Sequence, residues 1–228
     1  HLLRRLASLF RDGRAQWLAE RDEMIDLKPG PKGVFRAPYE GLSFKGEPAE
    51  YPYTSSQCVA WNVLWYDPSV QPASPDKIPY AHHFKNQDVV IMRTGWDKNS
   101  AVVSFSCAPL AGQHCAELIR SGVKISNRNY GHSHADYSSF TLFANGQYFI
   151  IPPGYARRGS GFQNVVSVNG ADFVVDPSID IRIVGFRQEK NFTYAVCDAK
   201  NSFIPALEVE KYHRHILLFN YGWMVIFD

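Results

Sequence analysis

The hydrophobic period changes once along this chain, and that change decides what it can fold into. From Leu2 to about Leu27, the residues Leu2, Leu3, Leu6, Leu9, Phe10, Trp17, Leu18 and Met24 recur at intervals of three, four and seven, which places them on one helix face. Gly13 is expected to divide this stretch into two helices. Lys28-Pro-Gly-Pro-Lys-Gly33 breaks the pattern, a further helix is expected near Ser55 to Tyr66, and Pro68, Pro72, Pro75 and Pro79 punctuate a linker. After Pro79 the period becomes two, a pattern that cannot serve a helix. The expected division is therefore 1–78, helical with its linker, and 79–228, β.

Within the β part the runs Val89–Met92, Ala101–Phe105, Ser139–Phe143 and Gln147–Ile151 read as short strands. Ala144-Asn145-Gly146-Gln147 carries the Asn-Gly signal of a tight hairpin, so the two strands flanking it should pair antiparallel. Further strand candidates are 164–168, 172–175, 179–186, 192–197, 207–209 and a terminal pair beyond Tyr212. Many short strands without crossover helices imply a mainly β chain, an antiparallel β-sandwich preceded by a few helices. The chain opens on His1 and closes on a strand that another could pair with, so it reads as a piece of a longer protein, incomplete at the C-terminus.

Composition narrows the function classes. Lys and Arg number 24 against 22 Asp and Glu, so a net charge of +2 gives no general electrostatic case for nucleic acid, and any basic site must be local. No run of about 18 apolar residues is present to span a membrane as a helix. Five Trp, 12 Tyr and 15 Phe suit β-structure with a sugar-binding surface. Cys58, Cys107, Cys115 and Cys197 contain no C-x-x-C pair, which leaves buried thiols or up to two disulfides open.

Chemistry concentrates in Asn127-Arg128-Asn129-Tyr130-Gly131-His132-Ser133-His134-Ala135-Asp136. Extended backbone would put His132, His134 and Asp136 on one face. Two imidazoles and a carboxylate together serve either as metal ligands or as proton-transfer groups. A cupin site would need a Glu a few residues on, and none appears before Glu189. Arg120, Lys124 and Arg128 before the cluster, with Arg157 and Arg158 after it, could form a local groove for carboxylate or sulfate groups. Tyr130 and Tyr155, each beside a Gly, are the best stacking platforms for a sugar ring.

Four blocks in order carry a family resemblance. They are Val90-Ile91-Met92-Arg93-Thr94-Gly95-Trp96-Asp97, Gly131-His132-Ser133-His134-Ala135-Asp136-Tyr137, Gly146-Gln147-Tyr148-Phe149-Ile150-Ile151-Pro152-Pro153-Gly154-Tyr155 and Gln163-Asn164-Val165-Val166-Ser167-Val168-Asn169-Gly170. Together they resemble the heparinase II/III-like polysaccharide lyases and their alginate-lyase relatives, over roughly Pro79 to Asp228. The resemblance implies that the N-terminal helices end an (α/α) toroid of the same protein and that the rest is the β-sandwich. It further implies a lyase that cleaves uronic-acid-containing polysaccharide, glycosaminoglycan or alginate type, by β-elimination. A uronyl C5 epimerase and a noncatalytic carbohydrate-binding sandwich are the alternatives.

By the same resemblance His132 is the catalytic His, with Arg128, Asn129, Tyr130, Tyr155, Arg157 and Arg158 as substrate-binding candidates and Asp136 and Gln163 in support. His134 matches a ligand of zinc or a similar divalent ion. The positions of the other ligands hold Ile151 or Pro152 and Gln163. A periplasmic or secreted location is expected, with an acidic polysaccharide as substrate, no nucleic-acid partner and no membrane span.

Overall fold

A computed structural model describes residues 2–24, 64–97, 99–125, 133–152 and 159–228. The loop expected at 28–33 and most of the helix expected at 55–66 lie outside them. The chain divides into two compact units between Ile78 and Pro79.

In the first unit α1 (Leu2–Phe10) and α2 (Gly13–Met24) are in contact and break at the expected glycine. Asp12 sits in the break. Its carboxylate accepts the Arg14 guanidinium and the Arg14 backbone N–H, both at 2.9 Å, and these donors lower its pKa to about 2. Gly13 is needed for close approach: a Cβ there would lie 2.3 Å from the Gln71 carbonyl oxygen, while the Gly13 carbonyl accepts the Ala73 N–H at 2.9 Å.

In the second unit β1 (Ala81–Phe84), β2 (Val89–Arg93), β3 (Val102–Ser106), β4 (Phe140–Ala144) and β5 (Gln147–Ile150) form an antiparallel sheet in chain order. A second antiparallel sheet, also in chain order, is made of β6 (Arg182–Gln188), β7 (Phe192–Asp198), β8 (His213–Phe219) and β9 (Met224–Phe227). Asn145 and Gly146 carry positive φ of 50° and 78° between the paired Ala144 and Gln147, the two-residue turn whose twist suits a hairpin.

Alternation builds the core. Val90, Met92, Val103 and Phe105 of the first sheet are fully buried, and they share one cluster with Ala195, Cys197, Ile216 and Leu218 of the second. The sheets therefore pack face to face as a β-sandwich. Each large side chain enclosed this way contributes about 1.5–3 kcal/mol.

Three strand candidates are corrected. Residues 164–168 and 172–175 join no ladder, and neither does 207–209, whose first residue ends the 3₁₀ turn Pro205–Leu207. At 164 the reason is visible: the Asn164 side chain accepts the Phe140 N–H at 3.0 Å and donates to the Phe140 carbonyl at 2.7 Å, so an amide takes the place of a strand's backbone beside β4. The expected 179–186 strand begins later, at Arg182. Two elements were not foreseen: β1, whose Ala-His-His-Phe has no apolar alternation, and α3 (Gly112–Arg120), too short to display a helical repeat.

Asp88 binds the two sheets to α3. Its carboxylate accepts His83 Nε2 at 2.7 Å, Gln113 Nε2 at 2.9 Å and the Ile183 N–H at 2.8 Å, and it is 3% exposed. Cys107, Cys115 and Cys197 are free thiols, so of the open alternatives these three are not disulfide-bonded; Cys58 lies outside the described residues. Among the described residues no helix is long and apolar enough to cross a membrane.

Candidate functional site

The residues following His132 run from Ser133 to Ser139, between α3 and β4. The described part belongs to no ladder, yet its burial alternates from His134 to Tyr137. Ala135 and Tyr137 enter the core at 6% and 1% exposure, while Ser133, His134 and Asp136 remain half-buried. His134 and Asp136 therefore share the side opposite the core.

Their electrostatics are coupled. Burial pushes the Asp136 carboxyl upward, and its own backbone N–H and the charge of His134 pull it back.

Several bonds hold this segment in place. Ser133 Oγ donates to the Leu110 carbonyl at 3.2 Å, the Ser139 N–H donates to the Asp136 carbonyl at 2.9 Å, and Ser138 adopts φ +64°. Ser138 Oγ lies 2.9 Å from Tyr212 Oη, and the Val166 N–H donates to the same phenol oxygen at 3.4 Å. Arg214, 5% exposed, donates through one terminal nitrogen to the carbonyls of Ser138 and Asn164. Its other two nitrogens pair with Asp228 at 2.7 and 2.8 Å. One guanidinium on β8 thus fastens both the segment that follows His132 and the segment that follows Gln163. Gln163 itself is half-buried and closes the short 3₁₀ turn Ser160–Phe162, its N–H donating to the Ser160 carbonyl at 2.9 Å.

The other candidates separate into two groups. Arg128, Asn129, Tyr130 and His132, with Tyr155, Arg157 and Arg158, lie outside the described residues. Arg120 is exposed and donates through one terminal nitrogen to the Ser178 and Ile179 carbonyls at 3.0 and 3.2 Å, which ties down the end of α3. Lys124 is exposed. The anchors Tyr212, Asn164, Arg214 and Asp228 were missed by sequence reasoning. The one hint was Arg214 at a buried position of the strand His213–Phe219, whose second half is apolar.

The donor set for an ion can be weighed directly. Ile151 and Pro152 offer no side-chain ligand, Gln163 offers only an amide, and the described residues bring no three His, Cys, Asp or Glu together. These residues do not fit a zinc centre.

No protein-family model matches the sequence. Solved structures share the fold. The heparan sulfate lyase HepC from Pedobacter heparinus aligns at a TM-score of 0.53 and 16% identity, over 75% of this chain and 26% of that one. A heparinase III gene product aligns at 0.52 and 15% identity over the same shares, and a further heparinase III structure aligns at 0.50 and 16% identity over 68% and 23%. The chain thus spans about a quarter of the length of the proteins it is similar to.

Proposed function

We propose that this chain belongs to a polysaccharide lyase that cleaves uronic-acid-containing acidic polysaccharide by β-elimination. The observation that carries the reading is the sandwich shared with heparan sulfate lyases, taken with a His-x-His-x-Asp run whose His134 and Asp136 stand together on the side away from the core.

The chemistry sets the roles. The proton at C5 of a uronate is weakly acidic, so the adjacent carboxylate must be neutralised while a base removes that proton. The C4–O bond then breaks, the departing glycosidic oxygen takes up a proton, and a C4–C5 double bond remains. In this reading His132 assists carboxylate neutralisation or proton transfer, with His134 and Asp136 holding the segment's polar side in order. Arg128, Asn129, Arg157 and Arg158 contact anionic groups, and Tyr130 and Tyr155 stack on sugar rings. α1 and α2 end a helical toroid that supplies the remaining catalytic groups, and the enzyme works in the periplasm or outside the cell.

The test is the ultraviolet absorbance of the new double bond. The intact protein, given a panel of glycosaminoglycans and alginates, should generate it on at least one polymer, and His132→Ala should lower the rate about 100-fold or more. Equal rates from both proteins would overturn the role of His132. No absorbance on any polymer would overturn the lyase reading, and inversion at C5 without absorbance would replace it with an epimerase.

A further inference from the structure

We propose that the sandwich carries a second saccharide-binding groove along β1 and β6, which takes an acidic sugar unit through Lys85 and Arg182. The inference rests on the acidic-polysaccharide reading above but uses none of its candidate residues.

β1 and β6 are each the outermost strand of their sheet, and a cleft of about 620 Å³ is lined by both, with Gln113 and Glu117 of α3 completing it. That volume lies in the range of small-ligand clefts. Its floor is rigid and already satisfied. The Asp88 carboxylate takes three donors, one of them the Ile183 N–H of β6, and Gln113 Nε2 also donates to the Ile181 carbonyl. Asp88 therefore has little capacity left for a ligand hydroxyl or a cation. Because it occupies a backbone donor of β6, it also hinders an incoming peptide strand from pairing there.

What remains for a ligand is a mixed wall. Lys85 is exposed, and Arg182 is an exposed guanidinium that also meets Asp180 through one terminal nitrogen. Glu117 is the one lining carboxylate besides the enclosed Asp88. His83 is fixed to Asp88 through Nε2, and among the described residues its Nδ1 has no hydrogen-bond partner. Rings for a sugar's C–H face are supplied by the lining residues His82, His83 and Phe186, the last with its ring centroid 6.0 Å from that of His83. Two exposed cations lining one cleft with a few polar groups and the Phe186 ring match a pyranose bearing a carboxylate or sulfate.

The experiment is hydrogen–deuterium exchange of the intact protein titrated with a sulfated, uronate-containing tetrasaccharide, alongside its desulfated, carboxyl-reduced counterpart. Protection should appear at 82–85 and 182–186 with the charged probe only. The double variant Lys85→Ala, Arg182→Ala should bind at least tenfold more weakly, with a flatter dependence on salt. If the double variant fails to fold, Lys85→Gln alone should still flatten that dependence. Unchanged affinity in a folded double variant, or protection confined to other segments, overturns the groove. Protection here without double-bond absorbance supports the groove while the lyase reading falls, so the two failures are separate.

Discussion

Asp88 and Arg214 are both charged, both nearly enclosed and both join parts of the sandwich distant in sequence, yet they are satisfied in opposite ways. Asp88 receives an imidazole nitrogen, a side-chain amide and a peptide N–H. None of these is a permanent cation. Arg214 faces a full counter-charge in two-pronged geometry, the Asp228 carboxylate at 2.7 and 2.8 Å, and spends its remaining nitrogen on two carbonyls. A carboxylate can be held by oriented neutral dipoles alone, whereas a guanidinium with five donors needs several acceptors at once. Position then sets consequence: Asp88 fastens sheet to sheet and helix, while Arg214 fastens the segments beside the candidate catalytic residues.

The largest test of that contrast is Arg214→Met, which leaves a carboxylate and two carbonyls without their shared donor. It should cost about 4 kcal/mol in denaturant-unfolding stability at constant slope. Asp88→Asn comes next. Asn tolerates the left-handed backbone at this position, φ +52°, so the change isolates the charge, but its NH₂ faces donors, and about 2 kcal/mol should be lost. A larger loss at Asp88 than at Arg214 would reverse the ranking.

The smallest effect concerns a buried group with no ionic role. Burial, followed by the neighbouring Cys197 thiol, pushes the Cys107 thiol well above its ordinary value of 9.0. The folded state thus binds the proton more tightly than the unfolded one. The Cys107 contribution to stability is intact below pH 9 and declines as pH rises past it. Thermal melts should show an alkaline fall that Cys107→Ala reduces, and thiol reagents should reach Cys107 only on unfolding. Labelling of Cys107 in the folded protein at neutral pH would contradict this.

Much of the architecture was legible because it follows from local periods. The helix break at Gly13, the Asn145-Gly146 hairpin and eight of the nine described strands each arise from a few adjacent residues. The misses have physical causes. β1 is an edge strand of polar alternation, α3 is nine residues long, and Asn164 replaces a strand with its side chain. In the candidate site the His-x-His-x-Asp run was visible as chemistry. Its anchors were not, because Tyr212, Arg214 and Asp228 lie far along the chain and no local spacing ties them to that run.

Sequence alone determined the switch from helix to strand and the antiparallel class, since both depend on spacing between near neighbours. Only the tertiary structure decided that Asp88 would be enclosed by three donors, that Arg214 would hold two loops, and that β1 and β6 would border one cleft. Those outcomes depend on pairings across tens of residues, and closing such distances is settled by packing of the whole core and not by any local preference.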